Sequence, residues 1–260
     1  MPKNKIKYVN IGCGKIFHSD WINIDLIKSS NIINHNIKNG LPFANDEIEI
    51  IYHSHVLEHL SKSDAENFIK ECYRILKPGG IIRIVVPDLE EICQEYLENL
   101  GNSYKTQDKN YLKKYNWNKL EMLDQIVRQK YGGNMGKDLF NDSLDIEYAK
   151  KRGGDTIIDI LNNTEISDKK QKLSRKIKNK IYHYFPFFYQ KKFNDSGETH
   201  KWMYDKLDLK ILLEKYGFKK YRLLDYKIST IPEWSRYNLD KSKYGDFPRK
   251  PYSLFVEAEK

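Results

Sequence analysis

Two periodicities alternate along the N-terminal part of the chain. Tyr8 to Ile11, Trp21 to Asp25, Ile48 to Tyr52 and Ile81 to Val86 are short apolar runs with β-branched character, and each reads as a strand. Between the last two, "SDAENFIKECYRILKPGG" changes to helical spacing. Phe68, Ile69, Cys72, Tyr73 and Leu76 fall on one face, Ser63 is placed as N-cap, and Pro78-Gly79-Gly80 as the stop. Strands alternating with helices predict an α/β fold whose mostly parallel sheet has right-handed crossovers. Its ligand site is then expected at the carboxyl ends of the strands, near the switch point.

After Pro87 the strand pattern stops. A Lys-, Asn- and Tyr-rich stretch follows, with helical spacing in "LEEICQEYLENL" and "KLEMLDQIVRQKY". Sheet-like patterning resumes after "DKLDLKILLEKYGF", a helix predicted to end at Gly217, with strands in "KKYRLLDYKI" and "YSLFVEAEK". The division predicted is a sheet domain from 1–87 and 199–260, interrupted after the fifth strand by a helical insertion at 88–198. The insertion is expected to act as an acceptor-binding lid or a membrane-docking segment. No internal repeat is found.

Composition narrows this picture. With 260 residues, 40% of them apolar, the chain is long enough for one sizeable core and an elaboration. The opening "MPKNKIKYVN" has no apolar signal stretch and no run approaches a membrane span, so a cytoplasmic protein is expected. Cys13, Cys72 and Cys93 form neither a disulfide framework nor a CxxC zinc pair, so no metal is predicted. Of the net charge of +9, most lies between Asp168 and Lys192, where nine Lys or Arg stand against one acid around "YHYFPFFY". That stretch admits a solvated face, an anionic membrane surface met peripherally at the inner face, or a phosphorylated acceptor. A nucleic-acid partner is not expected, because the charge sits in one segment and not as a patch on the folded core.

The stretch "VNIGCGKIFHSDWINIDL" carries the chemistry. Gly12 and Gly14 sit where a strand ends, so the backbone can turn and approach a ligand. Asp25, closing the next strand, can accept hydrogen bonds from a ribose diol. A dinucleotide fingerprint would need a third glycine where Phe17 stands, and a longer crossover before the acid. This disfavours an NAD-dependent nucleotide-sugar oxidoreductase or epimerase, which stays as the alternative beside a non-catalytic cofactor-binding module.

Taken in order, "VNIGCG", "WINIDL", "LPFANDEIEIIYHSHVLEHL" and "LKPGGIIRIVVPDL" resemble class I S-adenosylmethionine-dependent methyltransferases with a Rossmann-like sheet whose last strand is antiparallel. The match is to a bacterial subfamily associated with surface-glycan synthesis. The resemblance covers Tyr8 to Leu89 and resumes at "HKWMYD", "LLEKYGF" and "RKPYSLFVEAEK". It implies that Asn10, Gly12, Cys13 and Gly14 lie against the methionine part of S-adenosylmethionine, which leaves as S-adenosylhomocysteine. Asp25, with Leu26 beside it, meets the ribose. Asn36 and Ile37 lie by the adenine, and His53, Ser54 and His55 line the far side at the end of the fourth strand. Asn36 stands where relatives commonly carry an aspartate, and its amide oxygen can accept the same bond.

Methyl transfer to a hydroxyl needs an aligned acceptor and a base. His55, and His200 with Asp205 in "ETHKWMYD", are the catalytic candidates; His55 also fits a helix-start residue bonded to backbone. His59 reads as packing, Trp202 and Tyr204 as an acceptor wall or as core, and "YGGN" at Tyr131 to Asn134 as an acceptor loop or a plain turn. The function expected is O-methylation of a saccharide-type or phosphorylated small-molecule acceptor, a glycan precursor of capsule or lipopolysaccharide.

Overall fold

The computed structural model describes residues 7–140, 142–167 and 197–260. Seven strands form one sheet in the order β3-β2-β1-β4-β5-β7-β6. They are β1 (Tyr8–Ile11), β2 (Ile22–Asp25), β3 (Ile33–Asn34), β4 (Ile48–Ser54), β5 (Leu76–Pro87), β6 (Lys219–Leu224) and β7 (Ser253–Glu259). The first five pair in parallel, and β7 runs antiparallel to both β5 and β6. The parallel strands are those the apolar runs predict, and the antiparallel β7 is the last strand of the Rossmann-like sheet that the resemblance implies.

Strands β4 and β5 are buried almost throughout because layers cover both faces, which is why their sequences are apolar runs and not alternations. One face packs on α1 (Lys62–Ile75) through Phe68, Ile69, Cys72 and Ile75. The other packs on an aromatic cluster of Tyr8, Trp21, Tyr52, Trp234 and Tyr237. The cap of α1 is Ser61, not Ser63: its Oγ accepts the Asp64 N–H at 3.2 Å. The helix ends at Ile75, and Pro78-Gly79-Gly80 lie within β5, where Gly79 N–H donates to the Lys260 carbonyl at 3.0 Å.

By its contacts the chain forms two compact units: 1–90, 201–241 and 253–260 build the sheet unit, and 91–200 with 242–252 build the other. In the second, α2 (Leu89–Thr106), α3 (Lys109–Lys119), α4 (Gln125–Val127), α5 (Met135–Asp138) and α6 (Ile146–Ser167) surround a small core of Trp117, Leu139, Leu144, Tyr148, Ala149 and Ile157. α6 breaks at Gly154, whose φ of 55° is left-handed. A Cβ there would overlap Pro251 and the Arg249 carbonyl, so this kink needs glycine. Among the described residues no helix is long and apolar enough to cross a membrane. The basic stretch Lys169 to Lys192 lies outside the described residues. The sheet unit is completed by α7 (Lys206–Lys215) and α8 (Trp234–Tyr237).

Candidate functional site

The carboxyl ends of β1, β2 and β4 and the start of β7 meet at one end of the sheet. After β1 the Gly12 and Cys13 N–H groups both donate to the Ile24 carbonyl, turning the chain sharply. Gly12 has φ of 67°, and a Cβ there would overlap Val56, so the turn packs under the β4 loop only as glycine. Gly14 N–H donates to Asp25 Oδ2 at 2.7 Å, and Ile27 N–H donates to Oδ1 at 3.0 Å. Asp25 therefore clamps the glycine loop to the end of β2. Each carboxylate oxygen keeps lone-pair capacity for a further donor.

The other expected cofactor residues fall into distinct places. Asn10 is buried and spends its amide on the Ile16 carbonyl (3.1 Å) and Asn23 (3.4 Å), holding the loop from behind. Cys13 is buried, and desolvation followed by the Asp25 charge pushes its thiol up to about 11, so it stays protonated. Leu26 is 58% exposed beside the clamp. Asn36 is exposed and caps the short 3-10 turn Ile37–Asn39, its Oδ1 accepting from Lys38 N–H, while Ile37 packs on the core.

At the end of β4 the neighbouring residues diverge. Ser54 is half-buried, whereas His53 is wholly buried against Phe68, with both ring nitrogens unpartnered. Desolvation lowers its pKa to about 4, only partly offset by the Glu58 charge, so this ring is neutral. It lies beneath the site and does not line it. His55 has φ of 56°, a strained left-handed backbone for a residue with a side chain, and its N–H donates to the Val85 carbonyl. Its Nδ1 is 3.1 Å from Glu58 Oε1 and its Nε2 is 3.0 Å from Ser253 Oγ.

Glu58, in the 3-10 turn Leu57–His59, is fully buried. Its carbonyl accepts from the Lys201 and Trp202 N–H groups, and His59 Nε2 approaches the same carboxylate oxygen at 3.8 Å. Neither Glu58 nor Ser253 is marked by sequence motif. The available signal is an acid three residues after one histidine and one before another. Ser253 lies 198 residues from its partner, beyond any local pattern.

The remaining candidates have local duties. Asp205 is the N-cap of α7, its Oδ1 accepting from the Leu207 and Asp208 N–H groups, both at 2.8 Å. His200 is buried in the second unit and its N–H donates to the Gln125 carbonyl. Tyr204 is core and bridges to Asp88, while Trp202 is 38% exposed under the Lys62 ammonium. The "YGGN" loop is pinned by Glu198, which accepts from Gly132 N–H, and by Asp124, which accepts from Asn134 N–H, so it reads as a held turn.

Residues 22–84 match the family described as Methyltransferase domain. Among curated proteins there is no match to this chain. Of solved structures, a SAM dependent methyltransferase from Archaeoglobus fulgidus is 12% identical over 98% of this chain and 86% of its own, with a TM-score of 0.41. A SAM-dependent methyltransferase from Thermotoga maritima, described as a possible histamine N-methyltransferase, is 14% identical over 98% and 82%, with a TM-score of 0.40. A Burkholderia thailandensis 1,6-didemethyltoxoflavin-N1-methyltransferase, solved with S-adenosylhomocysteine, is 12% identical over 31% and 44%, with a TM-score of 0.27. The Asp25 clamp and the open backbone beside Gly14 fit a nucleoside with a free diol. The segment that matches a methyltransferase domain runs from β2 into β5, the part of the sheet that carries Asp25 and the end of β4.

Proposed function

We propose that the protein transfers a methyl group from S-adenosylmethionine to a hydroxyl oxygen on a saccharide-type or phosphorylated small molecule, a precursor in surface-glycan synthesis. The observation that supports an oxygen acceptor is the imidazole of His55, set at the ligand end of β4 with a buried carboxylate 3.1 Å behind it. A base held in this way is of use where a neutral O–H must lose its proton. The saccharide part rests on the motifs "VNIGCG", "WINIDL" and "LKPGGIIRIVVPDL" and on the tail "RKPYSLFVEAEK". An acceptor carried on a lipid would also give the basic stretch Lys169 to Lys192 an anionic surface to meet.

When bound, the cofactor supplies a methyl group already activated on a sulfonium sulfur. The protein's part is to bind, orient and move a proton. Asp25 accepts from the ribose hydroxyls while it holds Gly14, and Leu26 offers apolar surface to the base. His55 takes the acceptor proton, with the buried Glu58 carboxylate 3.1 Å from its Nδ1.

Isothermal titration with S-adenosylmethionine, S-adenosylhomocysteine and NAD tests the cofactor, with binding expected for the first two alone. Mass spectrometry of cell-envelope glycans from a deletion strain tests the acceptor. Loss of a single methyl-ether mass difference is expected, and an unchanged glycan profile would overturn the saccharide assignment.

A further inference from the structure

We propose that the outward face of the α2–α3 hairpin is a docking surface for an anionic lipid bilayer. Leu97, Leu100 and Tyr104 enter the headgroup region, and the neighbouring lysines meet the lipid phosphates. Such docking goes beyond methyl transfer and holds whatever the acceptor.

Over its second half α2 is turned inside out. A surface helix ordinarily buries its apolar stripe and shows its polar one. Here the inward side carries the buried Asn99, with the half-buried Glu95 one turn before it. Asn99 Nδ2 donates to Asn118 Oδ1 at 2.9 Å, Asn118 Nδ2 donates to the Tyr148 hydroxyl at 3.1 Å, and that hydroxyl donates to Glu95 Oε2 at 2.7 Å. These bonds fix the rotation of the helix about its axis. Leu97, Leu100 and Tyr104, spaced three and four residues apart, are thereby carried to the other side, at 62%, 36% and 87% exposure. Turning the helix to cover them would break the bonds beneath.

The occupant follows from the charge around this stripe. The rings of Tyr96 and Tyr115, 5.7 Å apart, and the Asn99–Asn118 bond hold α2 and α3 side by side. From Leu97 to Lys119 five lysines stand against two acids, Glu98 and Asp108, and Asp108 Oδ1 accepts from Asn110 N–H as the cap of α3. α3 itself holds four of those lysines and no acid. Lys105 and Lys109 are exposed on either side of the corner Gln107-Asp108, close in sequence to Tyr104, and Leu112 follows on α3, also exposed. Leucines, a tyrosine with an apolar ring and a polar tip, and lysines that bury their stems while lifting their ammonium groups make up a helix that lies in a membrane interface. An anionic leaflet supplies the opposite charge. A second copy would not, because two-fold pairing through this face brings lysine toward lysine. The hairpin is separate in sequence from Lys169 to Lys192, so the two can be tested apart.

The test is co-sedimentation of the full chain with vesicles of phosphatidylcholine containing phosphatidylglycerol, against phosphatidylcholine alone. Binding is expected to the anionic vesicles, falling with added salt. Leu97→Ser combined with Tyr104→Ser should lower the partition coefficient about tenfold or more, and Lys105→Glu combined with Lys109→Glu should do the same at low salt. All four side chains are exposed, so these substitutions spare the core. Leu97→Phe, which adds apolar area at one of the sites, should raise binding. Charge reversal of Lys176, Lys178 and Lys180 should leave the ratio between wild type and the Leu97→Ser, Tyr104→Ser variant unchanged. No binding to anionic vesicles, or binding that the α2 substitutions leave unmoved, overturns the proposal. So does a concentration-dependent dimer in light scattering that the same substitutions abolish, because the face then belongs to a second copy.

Discussion

Tyr52 and His53 are consecutive on β4, both almost wholly buried, and they point to opposite faces of the sheet with opposite outcomes. The Tyr52 hydroxyl donates to Asp240 at 2.6 Å. Asp240 and Glu257 flank Arg83, and all five guanidinium N–H donors are used: on the two carboxylates and on the Asp225 and Ile228 carbonyls. Trp234 stacks over the guanidinium, 4.4 Å from ring centroid to carbon. On the other face, His53 has neither ring nitrogen bonded and sits beneath the loop that carries His55 and Glu58. A buried polar group with every bond made locks a layer in place. One left without bonds is tolerated where the layer around it is shaped by something other than stability.

The largest effect should come from breaking the satisfied side. Arg83→Met leaves Asp240 and Glu257 buried without their cation, and about 3–5 kcal/mol of unfolding free energy should be lost in urea titration. A loss below about 1 kcal/mol would mean that the carboxylates find other partners.

The unsatisfied side should show itself through pH. His53 has a folded pKa of about 4 against an ordinary 6.5. Above pH 6.5 neither the folded nor the unfolded state binds this proton. As pH falls toward 4 the unfolded chain takes it up and the folded chain does not, so stability declines by roughly 3 kcal/mol across that window. His53→Phe should flatten that part of the acid decline, measured as urea midpoints from pH 7 to 4. An unchanged slope would show that the ring is not the group responsible.

At the ligand end, Asp25→Ala should weaken S-adenosylmethionine binding by about 2 kcal/mol, roughly thirtyfold in Kd by calorimetry. Part of that loss is indirect, because the same carboxylate holds the Gly14 and Ile27 N–H groups. The smallest effect concerns Asp205. Asp205→Ala should lose about 1 kcal/mol of stability as a missing helix cap, while Asp205→Asn should retain both the cap and turnover. Turnover lost in the asparagine variant would return this carboxylate to the chemistry.

The strands, the glycine turn and Asp25 were legible because each is written locally, in apolar runs and in one loop. β3 was not, because two exposed residues, Ile33 and Asn34, carry no pattern. The start of α1 was misplaced by two residues since Ser61 and Ser63 both suit a cap, and only the Asp64 N–H decides between them. In "VLEHL" only His59 is singled out by the pattern, and Glu58 and Ser253 carry no signal of their own. Their meaning comes from a fold that joins positions 198 residues apart. Arg83 in "IIRIVV" does carry a local signal of a buried ion, since a charge in the middle of an apolar strand must find partners.

The pairing of β5 with β7 also governs how the molecule can assemble in time. Arg83 and Glu257 are 174 residues apart, yet they sit on neighbouring strands. Closing so long a loop adds little entropy beyond a shorter one, but it makes the contact late. Until β7 docks, the apolar edge of β5 is an open template for a strand of any other molecule. Refolding yield should therefore fall as protein concentration rises, with the aggregate seeded from the middle of what becomes the sheet.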